Sequence, residues 1–435
     1  MYQSGWLLDL GFPEALFLDR QSMSRHTGSK EFITLAAKFV LLVASSDLLF
    51  GSDVPAQNEN EIVRFVIERH SPILVSATAF GKPMQFLLDT GASKTMLDKS
   101  TFQSRLGEPS TTVRMTAKSS VMDLPLHPCP EIAVEGKFLF DAMDFPVSPE
   151  DRGLVGCLDL IHLHQVTGVK LTGVFGNDFL RSKVLQLDYE AEFGAFLKQS
   201  TNPQADSERL QFANDGCPTM RLLIGNEGFH SFTVDTGSTR NLTITPDVFG
   251  RLLKTKQVIL RSSSLVAGAD GVTKYRRGVL NQVTIGSLTL RNVTIGEAPK
   301  NLVGLAFFER FKTEFDFPNN KVYLSPNRFF HLPELQSLTG FGIKRVGDEI
   351  RILNVDDSVV AADIQNDDLL LQVNGRPVGE FSLAKIRLLG MQADTELKLT
   401  LQRGELTKEV TCHLKRPADP FPPEEADQKT VPFDE

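Results

Sequence analysis

The triplet Asp-Thr-Gly occurs twice in the 435-residue chain, each time directly after an apolar run. The first copy lies in FLLDTGAS and contains Asp89, and the second lies in FTVDTGST and contains Asp235. Two carboxyl groups about 3 Å apart cannot both ionise, so such a pair holds one proton between them. One carboxyl can then activate a water molecule while the other donates a proton to a carbonyl oxygen. The doubled triplet therefore predicts general acid–base hydrolysis by Asp89 and Asp235.

A single Asp-Thr-Gly also arises for structural reasons, because Asp and Gly favour the tight turn that ends a strand. A second repeat further along the chain favours the functional interpretation. Twelve residues separate Gly176 from Asp188, and the same number separate Gly304 from Asp316. Both segments read as two apolar residues and Gly, a short amphipathic turn, and a strand that ends in Asp and an aromatic residue. Self-similarity on this scale indicates two copies of one supersecondary unit.

A β-hairpin is predicted before each triplet, and it delivers the Asp at a strand end. The segment ILVSATAFGKPMQFLLDTGAS contains an alternating strand, a turn at Gly81, and a buried run at residues 86–88. The segment LLIGNEGFHSFTVDTGS repeats this plan, with a turn near Asn226 and an apolar strand at residues 232–234. The two aspartates are 146 residues apart, which leaves room for one lobe around each.

Over about residues 61–325 the chain resembles the retropepsin-like and pepsin-like aspartic proteases, in a single-chain, two-lobed form. The resemblance implies a mainly β fold of two β-barrel lobes and an aspartic endopeptidase activity. The substrate would be a polypeptide bound extended between the lobes, with no metal, no cofactor and no covalent intermediate. Because one chain supplies both aspartates, the resemblance also implies that the monomer is active.

Roles for the residues around the two aspartates follow from the same resemblance. Thr90 and Thr236 would hydrogen-bond across the lobe interface, and the apolar segments that end at Gly176 and Gly304 would brace the two loops. The other residues expected to support the loops are Gly91, Ser93, Gly237 and Ser238. The segment LVGC around Gly156 is a competing match for the first brace, but the strand after Gly176 is the one that repeats.

The two loops differ at the residue after Gly, which is Ala92 in the first and Ser238 in the second. A serine hydroxyl can donate a hydrogen bond to a neighbouring carboxylate and lower its pKa, whereas alanine cannot. We therefore expect Asp235 to carry more of the negative charge and Asp89 more of the shared proton.

Two hairpins are candidates for flaps that close over the cleft, at residues 114–126 and 265–277. The second has the clearer hairpin tip, and its candidate residues are Gly268, Ala269, Asp270, Gly271 and Tyr275. For Tyr275, a role in the core or on the surface is equally open. Pepsin-like enzymes carry a flap tyrosine in the first lobe, but no tyrosine lies between Asp89 and Tyr189. The loops therefore resemble the retroviral kind.

Residues 333–417 resemble a PDZ domain, which is a small α+β fold. The stretch Phe341, Gly342, Ile343 matches the loop whose backbone N–H groups capture a peptide carboxylate. Asn374-Gly375 predicts a type I′ turn, and residues 382–389 match the groove helix. The resemblance implies a C-terminal or extended peptide ligand that adds as a strand to a sheet edge. Two alternatives stay open: a docking module that binds no peptide, and a catalytically inactive adaptor that works through this groove.

Composition and the chain ends complete the predictions. The net charge of −8 disfavours nucleic acid as the main partner. The predicted divisions are an N-terminal extension (1–56), lobe 1 (61–198), lobe 2 (199–328) with a polar linker at its start (198–209), and a disordered acidic tail (418–435). Residues 23–56 resemble a bacterial secretory signal interrupted by Lys38 and Asp47. This predicts export to the periplasm or the exterior, with membrane association or a cytoplasmic location left open.

The cysteines and histidines predict no catalytic or metal site. The four cysteines are widely spaced without a zinc pattern, although Cys129 and Cys157 could pair in an exported protein. His162 and His164 would share a strand face, but no third ligand accompanies them. The chain also lacks a phosphate-binding loop and a Ser or Cys nucleophile motif.

Overall fold

The computed structural model describes residues 61–117, 120–134, 138–140, 153–201, 203, 207–268, 271–356 and 363–421. The predicted N-terminal extension with its export signal, Ala269, Asp270, and residues 422–435 of the tail lie outside the described residues. The prediction of a mainly β fold is confirmed, since short strands dominate the described chain. Within that part of the chain, no helix is long and apolar enough to cross a lipid bilayer.

The described part of lobe 1 consists of short strands and three short helices. The strands are β1 (Glu61–Val66), β2 (Leu74–Ala79), β3 (Lys82–Leu88), β4 (Met96–Asp98), β5 (Thr111–Ala117), β6 (Ser120–Pro128), β7 (Ile132–Val134), β8 (Phe138–Phe140), β9 (Leu154–Leu158), β10 (Gly173–Phe175), β11 (Val184–Asp188) and β12 (Phe193–Leu197). The helices are α1 (Lys99–Leu106), α2 (Ile161–Thr167) and α3 (Asn177–Leu180).

The described part of lobe 2 repeats this composition. Its strands are β13 (Glu208–Gln211), β14 (Ala213–Asp215), β15 (Cys217–Ile224), β16 (Phe229–Asp235), β17 (Leu242–Ile244), β18 (Val258–Gly268), β19 (Gly271–Ile285), β20 (Leu288–Glu297), β21 (Leu302–Gly304), β22 (Phe311–Asp316) and β23 (Lys321–Pro326). Its helices are α4 (Pro246–Lys254), α5 (Leu305–Phe308) and a 3-10 turn (Phe317–Asn319).

Each lobe has its own large sheet. The nine-stranded sheet of lobe 1 has the order β5-β6-β9-β4-β10-β3-β2-β7-β8, and the eight-stranded sheet of lobe 2 has the order β14-β15-β16-β21-β17-β20-β19-β18. In lobe 1, β10 runs parallel to β3, which leads to Asp89, and antiparallel to β4. In lobe 2, β21 likewise runs parallel to β16, which leads to Asp235, and antiparallel to β17. The same supersecondary unit therefore carries each Asp-Thr-Gly loop.

A third sheet joins the lobes, in the order β1-β12-β11-β22-β23-β13, with three strands from each lobe. Its central strands β11 and β22 are antiparallel, and Gln186 pairs with Glu314. These two residues are 128 positions apart, as are Gly176 and Gly304. Equivalent positions of the two repeats therefore meet at the middle of this sheet, which is the pairing that an approximate twofold axis produces.

Stacked phenylalanines support the strand behind Asp89. The ring centroids of Phe86 and Phe175 are 4.1 Å apart, and those of Phe175 and Phe179 are 4.0 Å apart. All three side chains are fully buried in the apolar core that the two lobes share. Burial of each ring stabilises the fold by roughly 1.5–3 kcal/mol. The core therefore holds β3 and β10, the two strands that present the first loop.

A separate small sheet follows lobe 2. Its strands are β24 (Gly342–Val346), β25 (Glu349–Leu353), β26 (Leu369–Val373), β27 (Arg376–Pro377), β28 (Thr395–Arg403) and β29 (Leu406–Leu414), with a 3-10 turn (Val378–Glu380) and helix α6 (Leu383–Leu389). The order is β24-β25-β26-β28-β29, and β27 pairs with β26. The sheet and α6 enclose an apolar core of their own. We call this part of the chain the C-terminal module.

Local chemistry explains two features of the C-terminal module. Asn374 and Gly375 have φ angles of 50° and 76°. They form the two-residue link between the paired strands β26 and β27, as the predicted type I′ turn requires. Ser382 caps α6, since its hydroxyl accepts a hydrogen bond from the backbone N–H of Lys385 at 3.1 Å.

Strand β24 forms one edge of the module's sheet, and helix α2 of lobe 1 packs against it. The two parts also meet at Gly168, where an added Cβ atom would lie 2.7 Å from Cβ of Leu383. The edge at which a peptide strand would add therefore faces lobe 1.

Two expectations from the sequence differ from the structure. Cys129 and Cys157 form no disulfide with each other, so the pairing left open is not made. His162 and His164 lie on helix α2 rather than on a strand, and residues two apart on a helix do not face each other. The backbone oxygens of residues 418 and 421 accept hydrogen bonds from side chains of lobe 2, and the predicted disorder of the tail stays a prediction.

Candidate active site

The first Asp-Thr-Gly loop is held by backbone hydrogen bonds. The N–H of Asp89 donates to the carbonyl oxygen of Phe175 at 2.9 Å, which fixes the end of β3 against β10. The N–H of Ala92 donates to the carbonyl oxygen of Asp89 at 3.3 Å, and the N–H of Asn177 donates to that of Ala92 at 2.7 Å. Ser93, also expected to support the loop, lies beside Gly216 of lobe 2.

The second loop has the same connections. The N–H of Ser238 donates to the carbonyl oxygen of Asp235 at 3.2 Å, and the N–H of Leu305 donates to that of Ser238 at 2.8 Å. The Ser238 hydroxyl accepts a hydrogen bond from the N–H of Arg240 at 3.4 Å. The backbone thus presents Asp235 as it presents Asp89.

The two loops face each other across the lobe interface. A Cβ atom added at Gly91 would lie 2.9 Å from Cγ of Asp235, and one added at Gly237 would lie 2.5 Å from Cγ of Asp89. Contacts this short exclude any larger side chain without a shift of the carboxyl. Each glycine therefore lets its loop approach the aspartate of the other lobe.

The electrostatics of Asp89 favour its protonated form. Burial raises the pKa of this carboxyl above its usual 3.8. Hydrogen bonds with the Asp235 side chain and with the backbone N–H groups of Gly91, Ala92 and Gly237 oppose that rise in part. Asp89 still keeps some exposure to the cavity, as Asp235 does. The raised pKa agrees with a proton held between the two carboxyls, and the larger share on Asp89 stays a prediction.

Thr90 and Thr236 form a reciprocal set of four hydrogen bonds, which we call the threonine interlock. The Thr90 hydroxyl donates to the carbonyl oxygen of Val234 at 2.6 Å and accepts from the N–H of Thr236 at 3.0 Å. The Thr236 hydroxyl donates to the carbonyl oxygen of Leu88 at 2.9 Å and accepts from the N–H of Thr90 at 3.0 Å. Both threonines are fully buried. The interlock joins the strand ends that carry the two aspartates.

Gly176 and Gly304 lie where backbones approach closely. An added Cβ atom at Gly176 would lie 2.5 Å from the carbonyl carbon of Lys94, and one at Gly304 would lie 2.5 Å from the carbonyl oxygen of Arg240. Gly156, the competing match, lies instead on β9 and pairs with a residue of β4. Gly176 thus lies against the backbone of the first loop, and its role as the brace stays a prediction.

A buried carboxylate supports each loop, but the two come from different places. In lobe 1, Asp178 accepts hydrogen bonds from the N–H of Thr95 at 2.9 Å and from its hydroxyl at 2.6 Å. Asn241 lies at the corresponding place in the second loop, and its Nδ2 donates to Glu334 at 2.9 Å. Glu334 belongs to the segment between lobe 2 and the C-terminal module, so the sequence repeat contains no signal for it.

Cys217 is a second residue near the site that the sequence did not single out. Its thiol donates a hydrogen bond to the carbonyl oxygen of Gly91 at 3.3 Å. Burial, together with the negative charges of Asp89 and Asp235, raises its pKa to about 11. The thiol stays protonated at neutral pH, so it supports the first loop as a donor and is a poor nucleophile.

Antiparallel strands form both of the hairpins that were predicted as flaps. Strands β5 and β6 pair from residues 111 to 126, and strands β18 and β19 pair as far as Gly268 and Gly271. Tyr275 lies on β19 opposite Ser264. One side chain from each hairpin, Met115 and Arg277, lines the same cavity as the aspartates.

That cavity has a volume of about 1020 Å³ and contains both carboxyls. Its wall includes parts of both lobes, most of the segment from Glu334 to Gly340, and the predicted peptide-binding residues Phe341, Gly342 and Ile343. The structure thus brings the aspartates and the C-terminal module to one cavity, which is large enough for several residues of a peptide.

Comparison with known proteins agrees with the repeat. Residues 75–179 and 221–307 match the aspartyl protease family, and each matched segment contains one of the two aspartates. This match supports a place for the two lobes in the aspartic protease family. No curated protein matches the chain.

Two solved structures similar to the chain are aspartic proteases. One is a retropepsin-like aspartic protease from Rickettsia conorii, at 22% identity and a TM-score of 0.22, covering 27% of this chain and 89% of that one. The other is an aspartic proteinase from Irpex lacteus, at 13% identity and a TM-score of 0.37, covering 62% of this chain and 100% of that one.

Proposed function

We propose that the protein is an aspartic endopeptidase that hydrolyses peptide bonds with a water molecule activated by Asp89 and Asp235. One observation carries the proposal. Gly91 and Gly237 each lie against the carboxyl of the opposite lobe, so the two carboxyls face each other. One chain supplies both groups, and we therefore propose that the monomer is active.

In the first step of the proposed reaction, one aspartate accepts a proton and the other donates one. Asp235 removes a proton from the attacking water, while Asp89, whose pKa is raised by burial, donates its proton to the carbonyl oxygen. The tetrahedral intermediate then collapses as the proton on Asp235 passes to the leaving nitrogen. Asp89 regains its proton from the hydroxyl group that becomes the new carboxyl. No bond forms between enzyme and substrate.

We propose that the C-terminal module is PDZ-like and recognises the substrate from within the cavity. Its residues Phe341, Gly342 and Ile343 line the cavity that also contains both carboxyls. Helix α2 packs against the edge strand β24, so addition of a peptide strand there requires α2 to move. Contact with a substrate already in the cavity requires no such displacement.

The test is cleavage of denatured protein substrates by the full-length chain and by its variants Asp89→Asn and Asp235→Asn. We expect each variant to lose about 10²–10⁴-fold in rate, the usual contribution of a general acid or base. The exposed Asp348 provides a matched control, and Asp348→Asn should cleave at the wild-type rate. Equal cleavage by the wild type and both site variants would end the proposal.

A further inference from the structure

Two half-buried arginines line the cavity that contains Asp89 and Asp235. Arg277 extends from the lobe 2 hairpin, and Arg387 extends from helix α6 of the C-terminal module. Neither guanidinium forms an ion pair with a carboxylate of the described residues, and neither belongs to the proposed catalytic machinery. A partly desolvated cation with no carboxylate within ion-pair distance is stabilised by an added anion, so both positions are complementary to an anion that enters from outside.

Arg277 contrasts with the residue beside it on β19. Arg276 is exposed and donates two hydrogen bonds to the carboxylate of Glu297, at 2.8 and 2.9 Å. The Arg277 guanidinium makes no hydrogen bond with a described residue, and burial lowers its pKa. The charge of Glu334 opposes that shift, but the Glu334 carboxylate accepts its hydrogen bonds from Asn241 and from a backbone N–H.

Arg387 lies beside the loop that is predicted to bind peptides. One of its terminal nitrogens donates to the carbonyl oxygen of Ile343 at 2.9 Å. Burial lowers its pKa to about 10, so the side chain remains cationic at neutral pH. The other guanidinium donors are available to a ligand in the cavity. A planar fork of N–H groups matches the two oxygens of a carboxylate.

We propose that the enzyme selects peptides that carry a carboxylate, and that Arg277 and Arg387 bind carboxylates of the substrate in the cavity. The inference rests on the proposed endopeptidase function, because it assumes that the cavity holds a polypeptide. Two sources share this chemistry: an acidic side chain near the scissile bond, and the free C-terminus of the substrate. In both cases the arginines determine specificity and take no part in the proton transfers.

The experiment compares a proteome-derived peptide library with the same library after methyl esterification of its carboxyls. Full-length enzyme cleaves both, and mass spectrometry gives the rate ratio of free to esterified peptides and the position of Asp and Glu around each cut. The variants are Arg277→Met and Arg387→Met, and Arg276→Met is the matched control. Peptides with a C-terminal acid or amide, and with Glu or Gln near the cut, separate the two sources of carboxylate.

We expect the wild type and Arg276→Met to cleave free peptides about 10- to 100-fold faster than esterified ones, as expected for hydrogen bonds between charged groups. Arg277→Met or Arg387→Met should bring this ratio close to one, and Arg277→Lys should restore part of it. A variant that is only misfolded lowers both rates and leaves the ratio unchanged. Equal wild-type cleavage of both libraries would overturn the inference and leave the endopeptidase function intact.

Absence of any cleavage by the wild type would count against the proposed function, and a binding measurement then tests the inference alone. The full-length Asp89→Asn/Asp235→Asn variant is immobilised and exposed to both libraries. Preferential retention of the free peptides, lost on adding Arg277→Met or Arg387→Met, supports carboxylate binding. Equal retention of free and esterified peptides contradicts it.

Discussion

The threonine interlock gives the sharpest quantitative prediction about how the site is held together. Thr90→Val keeps the shape of the side chain and removes the hydroxyl. The carbonyl oxygen of Val234 and the N–H of Thr236 then lose the partner that the Thr90 hydroxyl provides at 2.6 and 3.0 Å. Both groups are buried between the lobes, so water cannot replace the hydroxyl without a shift of the loops.

The expected cost follows from these two bonds. A buried polar group left without its hydrogen bond costs about 1–3 kcal/mol, so Thr90→Val should lower the free energy of unfolding by about 2–6 kcal/mol. Typical domains have only about 5–15 kcal/mol in total. Thr236→Val removes the two symmetry-related bonds, to Leu88 and Thr90, and should cost a similar amount.

Urea unfolding and peptide cleavage of the same preparations provide the assay. Thr90→Ser is the matched control, because it keeps the hydroxyl and loses only a methyl group, so its unfolding free energy should fall by about 1 kcal/mol. The rate kcat should fall more in Thr90→Val than in Thr90→Ser, since only the former releases the loops. Equal destabilisation by Val and Ser, or a Val variant within about 0.5 kcal/mol of the wild type, would refute the reasoning.

Three further predictions concern the site and its surroundings. Gly91→Ala should abolish cleavage with little change in circular dichroism, since the new Cβ would lie 2.9 Å from Cγ of Asp235; full activity would contradict the close approach of the loops. The alkaline limb of the pH profile of kcat/KM should lie above pH 3.8, because the pKa of Asp89 is raised above that value; a limb at or below it would contradict a proton held by Asp89. Burial raises the pKa of Glu309 from 4.5 to about 7, so the stability that its protonated form contributes is complete below pH 4.5 and is lost as the pH rises to 7. The free energy of unfolding of Glu309→Gln should therefore rise by about 3 kcal/mol relative to that of the wild type as the pH goes from 4.5 to 7. A difference between the two proteins that does not change with pH would show that Glu309 does not titrate there.

The features that the sequence predicts are those that recur at a fixed spacing. The doubled triplet and the twelve-residue interval before Asp188 and Asp316 identified the two lobes and their loops, because equivalent local sequences form equivalent units. The Asn374-Gly375 turn was predictable for a different reason: two consecutive positive φ angles restrict the residue types that fit.

The contacts that the sequence does not predict join segments with no fixed separation. Glu334 supports the second loop from beyond the end of the repeat, and Cys217 supports the first loop from the other lobe. The position of Arg277 in the cavity depends on which face of β19 turns inward, and the hairpin of β18 and β19 has no strict alternation of polar and apolar residues to show it. His162 and His164 were expected on a strand face, but they lie on helix α2, which packs against β24 of the C-terminal module.

The most direct test of the central claim is cleavage in water enriched in oxygen-18. If Asp89 and Asp235 activate water without a covalent intermediate, a single turnover of wild-type enzyme places one labelled oxygen in each new carboxyl group. The variants Asp89→Asn and Asp235→Asn should produce no labelled product in the same time. Labelled product at the wild-type rate from either variant, or a peptide covalently attached to the enzyme, would contradict the account.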